Sequence, residues 1–163
     1  YISTDLFVIY LLCPSDFFSL GGIIMLQTYT RSNNGTAVAS STPINFLLNK
    51  VKRGCSVQHQ EGSSSIVLHG AGTYKIEFNG IFTAPSTEAT TINVQMLSDN
   101  VVVPEALAVA TSTSTTDYVN LAFTTLVRVK PSCCAVDNTT TLTFLNTNAD
   151  ILFNANVVVT KIC

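Results

Sequence analysis

From Val119 to Val129 the chain places Val119, Leu121, Phe123, Thr125, Val127 and Val129 at every second position. A strand sends successive side chains to opposite faces, so this run fits an extended ribbon with one buried face. A helix, with a period of 3.6, cannot satisfy it. The same alternation recurs at Tyr74, Ile76 and Phe78 against Lys75, Glu77 and Asn79, and at Ile92, Val94 and Met96 against Asn93 and Gln95. No stretch carries a convincing helical stripe. Composition points the same way: 11% of the 163 residues are charged, whereas Thr, Ser and Asn number 22, 15 and 13. Helix surfaces draw on Glu, Lys, Arg and Gln, while β-branched Thr and Val suit a pleated surface. Helical bundles and coiled coils are excluded. A hydrophobic fraction of 47% also supplies enough apolar surface for a packed core, which excludes disorder.

Turn residues divide the chain into further strands. Residues 26–30 open the series, and 31–36, with Asn34-Gly35, form a turn. Residues 43–51 put Ile44, Phe46 and Leu48 on one side. Residues 54–60 and 65–68 are parted by the turn Glu61-Gly62-Ser63-Ser64, and Pro85-Ser86-Thr87-Glu88 separates two more strands. In the stretch 101–110, Pro104 marks an edge or a bulge, because it has no N–H to give a ladder. The Thr- and Ser-rich tract 111–116 reads as an exposed loop, and 140–146 and 156–162 complete the set. Eight to ten strands at this spacing predict an all-β, antiparallel two-sheet sandwich. Strands at both ends of the domain favour a jelly roll over an up-and-down barrel.

Residues 1–24 do not fit this pattern. They hold an apolar run from Leu6 to Cys13, then Phe17-Phe18 and Ile23-Ile24, with no Lys or Arg. Pro14-Ser15-Asp16 interrupts the run well short of the ~20 residues a membrane helix needs, and a secretory signal would need a basic start. Gly21-Gly22 shortly before Met25 can be encoded by a ribosome-binding sequence. The expectation is that residues 1–24 are translated upstream sequence and that the natural protein starts at Met25; the other reading is an apolar extension. From Met25 to Cys163 there is one domain. Without Asp5 and Asp16 its eight basic residues meet eight acidic ones, so the net charge moves from −2 to zero. Such a surface has no electrostatic footprint for nucleic acid, and no membrane insertion is expected.

Few residues carry obvious chemistry. Leaving Cys13 aside, Cys55, Cys133, Cys134 and Cys163 are disulfide candidates, with one of the adjacent pair linked to Cys163 or Cys55. Free buried thiols are the competing reading, particularly for Cys55. Zinc is disfavoured because no C-x₂-C spacing exists. His59 and His69 flank the Gly-Ser turn, where they read as surface residues that could face one another across a hairpin. Lys50, Lys52 and Arg53 read as a solvated turn. No nucleophile elbow, phosphate loop, zincin motif or paired-carboxylate constellation occurs. The expectation is a non-enzyme without a cofactor.

The segment Gly72-Thr73-Tyr74-Lys75-Ile76-Glu77-Phe78 resembles the Gly-x-Tyr-plus-aromatic strand of the jelly-roll superfamily of tumour necrosis factor and the complement globular heads. The layout of residues 26–163 is similar as well, most of all to bacterial and phage-encoded members. The resemblance implies a homotrimer in which Gly72, Tyr74 and Phe78 are the core and trimer motif, and in which loops at one end meet a protein or glycan partner. Residues 111–116 and 86–90 are the contact candidates. Pro131 to Asn138 replaces a Gly-Asp step found in many members, so no calcium site carries over. The expected role is a structural or binding module on a virion, spore or cell surface. The alternative is a monomeric carbohydrate-binding sandwich, which the absence of Trp argues against.

Overall fold

Alternation along the chain is realised as two antiparallel sheets packed face to face. A computed structural model describes residues 24–31, 39–131, 138–147 and 152–162. The proposed leader, up to residue 23, and Cys133, Cys134 and Cys163 therefore lie outside the described residues. The strands are β1 (Met25–Arg31), β2 (Thr42–Pro43), β3 (Leu48–Arg53), β4 (Val57–His59), β5 (Ile66–His69), β6 (Gly72–Thr83), β7 (Thr90–Ser98), β8 (Val101–Ser112), β9 (Val119–Val129), β10 (Thr139–Asn146) and β11 (Leu152–Lys161). One sheet runs β3-β1-β11-β6-β9, the other β4-β5-β10-β7-β8, with β2 also on β10. The chain crosses repeatedly between the sheets, which gives the jelly roll. The described strands exceed the expected eight to ten because β2 and β4 are two- and three-residue pieces.

The inward positions are the ones the alternation marks. Tyr74, Ile76, Phe78 and Phe82 of β6 are buried, as are Ile92, Val94 and Met96 of β7 and Leu142 and Phe144 of β10. Phe78 and Phe123 come from one sheet and Phe144 from the other. Phe78 stacks on Phe123 at 5.1 Å and on Phe144 at 5.5 Å between centroids. Phe46 meets Phe144 edge-on at 5.6 Å. Such pairs add roughly 0.5–1.5 kcal/mol each beyond their buried area, so this cluster clamps the two layers together.

One expected strand is not continuous. Within 43–51, β2 pairs with β10 in one sheet, whereas β3 pairs with β1 in the other. Residues 44–47 carry the chain from one sheet to the other along the open side of the sandwich. Ile44 donates its N–H to the Phe144 carbonyl at 2.8 Å and Phe46 to that of Ser63 at 2.9 Å, while both side chains plug the interior. Leu48, past the crossing, is exposed instead of joining them. Period two describes both an unbroken strand and a crossing segment, so the pattern alone did not separate them.

Pro104 does sit in a bulge. The ladder between β7 and β8 steps from Gln95 opposite Leu107 to Leu97 opposite Val102, so residues 103–106 bow out across from Met96. The Gln95 amide fills the gap, its Nε2 lying 2.6 Å from the Val103 carbonyl, 3.1 Å from that of Ala106 and 3.1 Å from that of Met96. A buried carbonyl left without a donor costs about 1–3 kcal/mol. Gln95→Leu is therefore expected to lower the unfolding free energy by about 2 kcal/mol, measured by urea denaturation. An unchanged midpoint would mean that the bulge holds itself.

Candidate functional site

The sandwich has two ends. At the basal end lie the turns β5–β6 and β7–β8 and the start of β1; at the apical end lie the loops β6–β7 and β8–β9. The motif residues Gly72, Tyr74 and Phe78 follow the basal turn. Gly70 and Gly72 take φ values of 79° and 151°, which glycine alone adopts freely. This lets the chain reverse from one sheet to the other. The Tyr74 hydroxyl lies 2.6 Å from the His69 carbonyl and 3.0 Å from that of Gly70. Burial pushes its pKa above the ordinary value, and a hydrogen bond with Ser56 offsets part of that rise. The Lys161 ammonium sits 5.5 Å from the Tyr74 ring centroid. Tyr74 thus pins the turn from inside, and Phe78 anchors the aromatic cluster.

Cys55 lies just before β4, half-buried and disulfide-bonded, so the free-thiol reading does not hold for it. The histidines also depart from expectation. His59 is 5% exposed and points inward. It pairs with Ile66 across the β4–β5 hairpin, whereas His69 pairs with Thr139 of β10, so the two rings do not oppose one another. Lys52, Gln58, His59, Gln60, Ser63, Ser65 and Val67 border a cleft of about 390 Å³ beside this hairpin. Its lining holds one ammonium, two carboxamides and two hydroxyls, with no acid and no aromatic platform other than the buried imidazole. Among the described residues no three His, Cys, Asp or Glu side chains converge as metal ligands would.

The apical loops are tied down by hydroxyls. β8 runs on to Ser112, so Thr111 and Ser112 belong to the strand and the loop begins at Thr113; likewise Thr90 opens β7. The buried Ser112 hydroxyl lies 2.8 Å from the Asp117 carbonyl and 3.0 Å from that of Ser114, and it accepts the Ala84 N–H at 3.1 Å. Thr83 reaches the Ser114 carbonyl at 3.1 Å. The two apical loops are thereby held against each other. Asp117 accepts from the Thr113 N–H at 2.7 Å and from its hydroxyl at 2.9 Å. These bonds hold the Asp117 carboxyl below its ordinary pKa.

The lateral flanks differ sharply. On the β3 side the edge strand carries Lys50, Lys52 and Arg53 in six residues, the charged guard that blunts an open edge. On the opposite side β8 carries one charge, Glu105, in twelve residues, and β9 one, Arg128, in eleven. Val101 is 67% exposed, Val109 53% and Leu126 59%, and Leu107 on β8 and Ile81 on β6 are exposed as well. Leu107 and Val109 look out from one sheet and Leu126 and Ile81 from the other, so apolar side chains wrap the β8–β9 flank. Leu107, Val109 and Leu126 are exposed because they alternate with the buried Ala106, Ala108, Thr125 and Val127 and so face outward.

Comparisons with known proteins bear on the fold. No family model matches the chain, and no curated protein sequence does. Solved structures do. The globular domain of zebrafish complement 1qA protein superposes with a TM-score of 0.56 at 9% identity, over 87% of this chain and 98% of that domain. The PRD1 vertex protein P5 matches with a TM-score of 0.55 at 15% identity, over 88% of this chain and 100% of that one. Murine APRIL gives 0.51 at 12% identity, over 83% of this chain and 98% of its own. The fold is the jelly roll shared by these proteins, as the Gly72-to-Phe78 segment led us to expect.

Two outcomes are expected of these local devices. Reduction of the Cys55 disulfide, or Cys55→Ser, lowers the unfolding free energy by about 2–4 kcal/mol, read as a shift in urea midpoint; a midpoint unmoved by reductant would show that the bond constrains nothing. The Asp117 bonds are present above the carboxylate range and are lost as pH falls through the lowered pKa. Amide exchange at Thr113 therefore accelerates, relative to its intrinsic rate, at acid pH in the native chain. In Asp117→Asn it is fast throughout.

Proposed function

We propose that the chain is a non-enzymatic module that assembles with two identical copies and presents its apical loops to a protein or glycan partner, on the outside of a virion, spore or cell. The observation that carries the reading is the inequality of the two flanks. One edge is guarded by three cations, and the other is left apolar around β8 and β9. Large exposed apolar patches mark interaction sites. A flank that meets a different surface on the next copy gives a heterologous contact, which closes into a ring when the rotation permits. The outer face of the β3-β1-β11-β6-β9 sheet is the receiving surface in this account, with Val158 opposite Glu77 by register. The likeness to a complement head, a vertex protein and APRIL supports a displayed jelly roll. The apical loops suit partner contact because their backbone is fixed while Ser86, Thr87, Glu88 and Tyr118 remain exposed.

The glycan-binding monomer is the weaker reading. The cleft beside β4 is polar enough for a sugar, yet the aromatic ring described as exposed, that of Tyr118, stands at the far end of the sandwich. Substitution separates the two accounts. Leu107→Glu with Val109→Glu places two charges on the apolar flank without touching the core. Sedimentation velocity is expected to show the native chain as a trimer and the double variant as a folded monomer. Lys52→Glu on the guarded flank is expected to leave the trimer intact. A native chain that sediments as a monomer would remove the proposal.

A further inference from the structure

We infer that His59 is a proton-dependent latch for the corner where β3, β4 and the 60–65 turn meet. The warrant lies in its hydrogen-bond partners. Its Nδ1 stands 2.7 Å from the Asn49 Oδ1 and its Nε2 3.0 Å from the Ser63 carbonyl oxygen. The Ser63 carbonyl can only accept, so Nε2 must carry a proton to bond it. The Asn49 amide is oriented by its other end, where Nδ2 donates to the His59 carbonyl at 3.1 Å; reversing it would set oxygen against oxygen. Asn49 therefore offers an oxygen to Nδ1, and Nδ1 must carry a proton as well. A neutral imidazole has one N–H, and an imidazolium has two. With His59 buried, a neutral ring would leave one of these contacts as lone pair against lone pair, which burial makes costly.

The surroundings show what the latch holds. The same Ser63 carbonyl accepts the Phe46 N–H at 2.9 Å, and Gly62 donates its N–H back to the Phe46 carbonyl at 2.8 Å. The Glu61 carboxylate accepts the Asn49 N–H at 2.9 Å. Phe46 packs edge-on against the imidazole at 6.2 Å. The turn, the crossing segment and β3 thus converge on one ring. The charged groups nearby are Glu61 on the turn, Lys52 on β3, which borders the same cleft, and Lys50, also on β3. The crossing segment brings no charge, β1 turns Leu26 and Thr28 inward, and β5 carries His69 only at its far end. The corner is closed while both ring nitrogens are protonated. It is released as pH rises and the second proton leaves, which frees the turn that walls the cleft.

Amide hydrogen exchange on the full-length chain, followed from acid to alkaline pH, tests this. In the native protein, protection at Phe46, Asn49 and Gly62 is expected to fall by about tenfold beyond the change in intrinsic rate, as one hydrogen bond to a charged group is lost. Protection in the β7–β8 ladder stays flat. His59→Gln removes the response, and so does Asn49→Ala, which keeps the imidazole but deletes one acceptor and lets a neutral tautomer suffice. Asn49→Ala also carries the test if His59→Gln fails to fold. A native corner whose protection does not change with pH, or a pH response that survives in Asn49→Ala, would overturn the inference.

Discussion

The contact between Phe78 and Phe123 of one sheet and Phe144 of the other is the constraint from which the remaining architecture follows. Each sheet is stable only if its apolar face is covered, and each supplies the cover for the other. The stacked rings fill the space midway between the layers, where short side chains would leave a void and lose dispersion contacts. Once the layers are clamped there, polar backbone can collect only at the two ends and the two flanks. At the basal end Tyr74 braces a glycine turn. At the apical end Ser112 and Thr83 hold the two loops together. The crossing segment, with Ile44 and Phe46, closes the open side of the sandwich above His59.

That arrangement leaves the flanks as the surfaces where physics gives no internal cover. The β3 edge meets the hazard with Lys50, Lys52 and Arg53, which make edge-to-edge pairing unfavourable. The β8–β9 flank shows no such guard. Its ladder is broken by the Pro104 bulge, whose carbonyls are satisfied by Gln95. The bulge removes the regular hydrogen-bonding row that would template open-ended strand addition. The flank is thus apolar without being a flat edge, which suits a closed contact with a defined partner better than unlimited sheet growth. In the proposed function, assembly through this flank and display through the apical loops are separate tasks on separate parts of the molecule.

Much of this was legible in the residues before any coordinates. The alternations at 74–78, 92–96 and 119–129 marked buried faces because a half-covered sheet permits no other pattern, and Pro104 announced an edge or a bulge because it has no N–H to give. The Gly-x-Tyr segment marked the jelly roll. What could not be read depends on partners distant in sequence. His59 looks like a surface residue until Asn49 and Ser63 close around it. Gln95 looks like one more outward polar position until the bulge folds over it. Leu107 and Val109 are apolar like core residues, and only the burial of Ala106 and Ala108 between and before them shows that they face outward. The split of 43–51 into β2, a crossing and β3 was hidden for a related reason: an extended chain that changes sheets keeps its period.

In the proposed function the apolar β8–β9 flank is covered by identical copies. Native mass measurement of the unmodified chain at micromolar concentration tests it most directly. The account predicts a single species at three times the 17.5 kDa of the chain. A spectrum dominated by the 17.5 kDa monomer would contradict it.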